Sequence, residues 1–235
     1  MQPVILVAHG SPSEPEIQEK ALFSLANKVS EEMPGRKIDA ATLAKPGSLE
    51  AALARHEDPV IYPYFMAQGW FTKTELPRRL EAARSQARQL EPFGVDPALP
   101  DLLTRVIFEA RASEDIPADS PLILVAHGSK ISRKSRNSVY DMAETLGRNP
   151  AMPEIHVALI EEPPFLEDVA REHPDGVCLP FFALRAGHVT GDIPEALQAA
   201  SYRGRLLPEI GAHREVPVLI AQAVSRAGSR TFTDS

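Results

Sequence analysis

VILVAHGS at residues 4–11 returns as LILVAHGS at residues 122–129, 118 positions later (4 to 122). In each copy a short, unbroken aliphatic run stops at His-Gly-Ser, which reads as a core strand ending in a tight turn. Further along, PYFMAQGWFTKTELP at residues 63–77 matches PFFALRAGHVTGDIP at residues 180–194 at a spacing of 117 (63 to 180). A strand-like run, a loop and an acidic-aliphatic-proline helix start follow one another in both. The 235 residues therefore read as two copies of one α/β unit, each near the usual size of a domain. The copies differ where chemistry belongs. His188 stands where the first copy has Phe71, and Glu161 and Glu162 stand where it has Ala44 and Lys45.

In the first half the pattern predicts strands at residues 4–8, 38–43, 60–65 and near 104–108. Helices are expected over 14–32, over 48–55 with Ser48 as cap, and over about 74–90, with Pro77 in the first turn, where its missing N–H costs little. The polar, proline-containing stretch ASEDIPADSP at 112–121 is the expected linker between a first domain, 1–111, and a second, 122–235. Strands then recur at 122–126, 155–160 and 177–182, with a weak candidate at 205–207. Helices are expected near 135–146, 165–172, 194–200 and 216–227. Apolar strands alternating with helices predict two similar, doubly wound α/β domains with parallel central sheets. Ligands of such sheets sit beyond the carboxyl ends of the strands, and His9, His127, Glu161 and the loop holding His188 all follow predicted strands.

Composition narrows the function. A hydrophobic share of 43% supports packed cores, and a net charge of −7 argues against a generic nucleic-acid surface while leaving room for a local basic pocket. No stretch approaches the length that crosses a bilayer, and residues 1–11 lack a basic leader region, so a cytoplasmic protein without a membrane partner is expected. The single cysteine, Cys178, lies in an apolar run and reads as a buried small hydrophobe; it allows neither a disulfide framework nor a thiolate metal cluster.

Of seven histidines, His56, His156 and His173 read as surface residues, and His213 as a turn residue with some claim to a cleft. His127 and His188 both fall at strand-to-loop junctions of the second half. Imidazole takes a divalent metal or a proton near neutral pH, and Glu161 or Glu162 can add a carboxylate. The competing reading has His127 merely bracing its turn through a backbone hydrogen bond. His9 lacks these companions, and Lys45 would repel a cation, so a structural or ligand-lining role suits it. Neither His-Gly-Ser loop carries a GxxxxGK[ST] or GxGxxG pattern, so no nucleotide is expected.

The paired AHGS units, the Pro-Phe-Phe run leading to Gly187-His188 and the Asp192-Ile193-Pro194 helix start resemble the class II tetrapyrrole metal chelatases, in the group that includes the CbiX and SirB types. The resemblance spans nearly the whole chain. It implies two domains facing each other across a cleft that grips a planar, anionic macrocycle. It also implies ATP-independent insertion of a divalent metal, Co²⁺ before Fe²⁺ or Ni²⁺, with the metal as co-substrate. His127 and His188 correspond to the family's paired histidines and Glu161 to the acid between them, with Glu162 the alternative. In the long family forms the complete pair stands in the first half; here it stands in the second. Lys130, Arg133, Lys134, Arg136 and Arg185 are candidate partners of the ring carboxylates. His9, Met66, Trp70 and Phe71 are candidates for an apolar contact with the ring. Sirohydrochlorin cobalt insertion is the expected activity, ferrochelatase the nearest alternative, and a non-catalytic metal or tetrapyrrole carrier the alternative of another class. Two covalent domains already supply both walls of a cleft, which favours a monomer over a two-fold dimer.

Overall fold

The computed structural model describes residues 1–12, 14–113, 116–117, 119–128, 133–185 and 187–229, and only the backbone of 113, 133–135, 188 and 229. The first sheet is built from β1 (Val4–Ala8), β2 (Ile38–Thr42), β3 (Val60–Pro63) and the short β4 (Arg88–Gln89), in the order β2-β1-β3-β4. Every pairing is parallel, with Val4 opposite both Ile38 and Val60. The second sheet repeats this with β5 (Leu122–Ala126), β6 (Ile155–Leu159), β7 (Val177–Pro180) and β8 (Arg205–Leu206), ordered β6-β5-β7-β8 and again wholly parallel. All five residues of β1 and of β5 are buried, as both faces of each sheet are covered.

Helices α1 (Pro15–Glu32), α2 (Ser48–Ala54) and α3 (Leu76–Ala82) belong to the first repeat. On one face of the first sheet, Ile5, Val7 and Ile61 pack with Leu49, Leu53, Leu76 and Leu80. The second repeat supplies α5 (Arg133–Gly147), α6 (Leu166–Glu172) and α7 (Ile193–Ala199), where Ile123, Val125 and Cys178 meet Leu166, Val169, Ile193 and Leu197. Each repeat also ends in a long helix, α4 (Leu99–Ser113) and α8 (Val216–Ser229).

Residues 104–108, expected as a strand, lie inside α4. Leu99, Leu102, Leu103 and Ile107 are buried and follow a helical stripe, and the run TRVIF at 104–108 is too short for periodicity to tell strand from helix. The last strand of the first sheet is β4 instead, where a helix over 74–90 was expected. Its place matches β8 at the repeat spacing of 117 (88 to 205). Ser48 is likewise not a cap: Gly47 occupies that position with φ of 77°, while the Ser48 hydroxyl accepts from the Thr42 N–H at 3.2 Å and donates to Glu19 at 2.5 Å.

Packing divides the chain into two compact units, Met1–Asp96 together with the segment starting at Arg214, and Pro97–His213. The repeats and the packed units are thus different divisions of the chain. Helix α4 leaves its own repeat to lie on α5, and α8 returns to lie on α1 and β3. Asp96, 6% exposed, receives Arg226 of α8 at 2.8 Å, and Arg88 of β4 donates to the Ala227 carbonyl at 3.0 Å. Among the described residues no helix is long and apolar enough to cross a membrane.

Candidate functional site

In each sheet the central strand has its neighbours on opposite sides, so the chain crosses over in opposite directions beyond its carboxyl end, the place where α/β sheets bind ligands. In the second unit His127 follows β5, Glu161 lies two residues beyond β6, and His188 opens a π-helical turn, His188–Asp192, after β7. The edge is held by a regular set of backbone bonds. Ile160 N–H donates to the Ala126 carbonyl at 3.1 Å, Glu161 N–H to the His127 carbonyl at 3.0 Å, and Phe181 N–H to the Val125 carbonyl at 2.7 Å. His127 and Glu161 are thus tied at the backbone, and the backbone of His188 begins the turn that follows the neighbouring strand β7.

Gly128 adopts φ of +72°, where a Cβ is strained, and a Cβ there would meet Glu162 Cγ at 3.1 Å and Leu159 Cβ at 3.2 Å. That tight turn brings the Gly128 carbonyl within 2.9 Å of His127 Nδ1. A carbonyl only accepts, so Nδ1 carries the hydrogen in this bond. The backbone bracing that the structural reading of His127 expects is therefore present.

The two glutamates diverge. Glu161 borders a groove of about 520 Å³ between α6 and α7, together with Glu167, Asp192 and Glu195. Glu162 lies against the Gly128 turn and pairs with Arg136 of α5 at 3.6 Å. Arg136, expected at a ligand rim, is thus held within the unit, and it also lies 5.4 Å over the Tyr140 ring. Arg185 is exposed on the loop before His188. Lys130 lies outside the described residues, as do the side chains of Arg133, Lys134 and His188. Among the described residues no three His, Cys, Asp or Glu side chains form a group that could hold a metal ion.

In the first unit the same edge is aromatic. Phe71 opens the π-helical turn Phe71–Glu75, its ring centroid 4.1 Å from that of His9, 5.1 Å from that of Trp70 and 6.1 Å from that of Phe65. Burial of one face of the His9 imidazole lowers its pKa, so the ring favours its neutral form. Trp70 is 56% exposed, and Met66 is half-buried in the same loop. Beneath this edge Glu75 accepts from Arg78 at 2.9 Å and Arg79 at 2.8 Å, and these bonds hold its carboxyl at about 2. Arg79 also reaches Glu50 at 3.9 Å. At the repeat spacing, Glu50, Glu75, Arg78 and Arg79 become Glu167, Asp192, Glu195 and Ala196 in the second unit, so the cations there give way to the carboxylate-lined groove. Of the groove acids only Glu161 is singled out by its place after a strand; Glu167, Asp192 and Glu195 join it through the packing of α6 and α7, which no local spacing encodes.

Three other histidines are less exposed than expected. His56 is 11% exposed and lies 2.8 Å from Asp39, and the His156 and His173 rings stack at 3.7 Å. His213 ends the 3₁₀ turn Ile210–Ala212, its N–H donating to the Ile210 carbonyl at 3.1 Å.

A family model for CbiX matches residues 3–110 and 121–227, one match per repeat. The structure of CbiX described as the terminal enzyme for biosynthesis of siroheme in denitrifying bacteria is similar at a TM-score of 0.87 and 41% identity, covering 96% of this chain and 99% of that one. SirB from Bacillus subtilis with Fe³⁺ shares the fold at a TM-score of 0.78 and 15% identity, covering 100% and 98%. A probable sirohydrochlorin cobaltochelatase of Halobacterium salinarum is 23% identical over 223 residues, 83% of this chain and 76% of that protein. Paired doubly wound sheets with a matching model on each define a class II chelatase of the CbiX/SirB type. The chain belongs to the CbiX family.

Proposed function

We propose that the protein inserts a divalent metal into sirohydrochlorin or a closely related tetrapyrrole, as a chelatase that uses no nucleotide. The observation that carries this reading is the edge of the second sheet, where His127 is braced through Nδ1 by the Gly128 carbonyl and Glu161 is backbone-bonded beside it. His188 begins the turn after the adjacent strand. Insertion of M²⁺ releases the two pyrrole N–H protons, so the site must handle a cation and two protons. A neutral imidazole serves either task, and Glu161 orients an imidazole or offsets metal charge. His9, Met66, Trp70 and Phe71 are proposed as an apolar contact for the planar ring, with Lys130, Arg133 and Arg185 as partners of its carboxylates.

The family resemblance points first to Co²⁺, and the Halobacterium salinarum relative supports that choice. The CbiX that is 41% identical belongs to siroheme biosynthesis, which supports iron. We rank Fe²⁺ first on the greater identity and coverage. Imidazole and carboxylate accept both ions, so the donor types do not separate them.

The deciding experiment mixes metal-free protein with sirohydrochlorin under anaerobic conditions and adds Fe²⁺, Co²⁺ or Ni²⁺ in turn, following the absorption of the macrocycle. Turnover beyond one equivalent is expected, falling by about a hundredfold or more in His127→Ala and in His188→Ala. Tight ring binding with no acceleration by any metal would instead identify a carrier.

A further inference from the structure

Burial in the two helices that follow the His-Gly-Ser turns fixes their register. Leu22, Ala26 and Val29 of α1 and Val139, Met142 and Leu146 of α5 are buried, and Leu22 aligns with Val139 and Val29 with Leu146 at 117 positions. At that register Glu19 corresponds to Arg136. The strand ends fix the other half of the comparison, because Ala44 N–H bonds the His9 carbonyl as Glu161 N–H bonds that of His127. Lys45 therefore corresponds to Glu162.

Both pairs are made. Lys45 Nζ lies 2.5 Å from Glu19, with side chains 41% and 13% exposed, and Arg136 lies 3.6 Å from Glu162, with side chains 44% and 17% exposed. In each the carboxylate is the more buried partner, but it comes from the helix in the first repeat and from the loop in the second. The attraction is kept while its polarity is reversed. We infer that Glu162 is a positioning residue, the counter-charge of Arg136 that clamps the β6 loop to α5 and seats the His127–Gly128 turn. Its Cγ lies 3.1 Å from where a Gly128 Cβ would stand, so the side chain covers the residue whose carbonyl braces His127 Nδ1. An arginine at this distance also competes with a metal for the carboxylate. Among the described residues Glu161, whose counterpart is Ala44, makes no such tie to α5 and borders the groove beyond β6, so it is the acid we assign to the metal. The ion pair stands whatever the protein binds; the role of Glu161 rests on the chelatase function proposed above.

The test uses the full chain with Glu162→Lys, Arg136→Glu, the two combined, and Glu161→Gln. Three quantities are read: thermal unfolding, the ¹⁵N resonances of the His127 imidazole, and the affinity for Co²⁺ alone. Each single charge reversal is expected to lower the Tm, shift the His127 resonances and weaken Co²⁺ binding by about tenfold. The double reversal, which installs the polarity of the first repeat, restores all three, whereas Glu161→Gln weakens Co²⁺ binding without moving the Tm. Absence of coupling in the unfolding cycle would overturn the clamp. A double variant that regains its Tm while binding Co²⁺ as weakly as Glu162→Lys would make Glu162 a ligand. If Glu161→Gln binds Co²⁺ as tightly as the starting protein, the chelatase assignment of that acid fails, while the unfolding and imidazole measurements still decide the clamp.

Discussion

A buried thiol and a turn histidine show how one neighbour sets the chemistry of a side chain. His127 is braced by the Gly128 carbonyl 2.9 Å from its Nδ1, which fixes the nitrogen that carries the hydrogen in that bond. Cys178 is fully buried on β7 among Ile123, Val125 and Leu197, and burial pushes its thiol up to about 12. The thiolate is the reactive form, so Cys178 belongs to the core. Folded protein should resist alkylation by iodoacetamide at neutral pH and react stoichiometrically once denatured, as read by mass spectrometry; rapid labelling of the folded protein would contradict this placement.

At the scale of elements, the π-helical turns Phe71–Glu75 and His188–Asp192 run directly into α3 and α7, an irregularity that recurs at the same point of both repeats. The first is anchored by Glu75 with Arg78 and Arg79. Glu75 has its pKa lowered from 4.5 to about 2, so it stays ionised in the folded protein where the unfolded chain takes up a proton. Its contribution is full above the unfolded value and is lost as pH falls from there toward about 2. Glu75→Gln should flatten the acid limb of stability in that window, measured by denaturant unfolding at a series of pH values. The parallel sheets and most helices were legible because Val4–Ala8 and Leu122–Ala126 are unbroken apolar runs repeated with the same turn. The fourth strands were harder to place: β4 and β8 have two residues each, too few for a period. His127, His188 and Glu161 were legible as candidates by their position after strands. The difference between Glu161 and Glu162 was not, since it depends on where neighbouring side chains point.

The whole molecule is shaped by the exchange of α4 and α8 between repeats. Val216, Ile220 and Val224 of α8 are buried, and α8 lies on α1. Ile220→Ala should therefore cost about 2–5 kcal/mol and weaken hydrogen-exchange protection in β1 before β5, although residue 220 is far nearer β5 in sequence. Greater loss of protection in β5 would contradict the division into units. Repeated sequence suggests two modules that could be cut apart at residues 112–121, but such a cut would give each piece the helix that belongs to the other. During synthesis the order is equally uneven. Residues 1–96 leave the ribosome first, yet their surface stays open until residue 229 has been made, while residues 97–213 can close beforehand. The first unit to be translated is the last to be completed, and over that interval the part of α1 that α8 will cover stays open to other partners of the nascent chain.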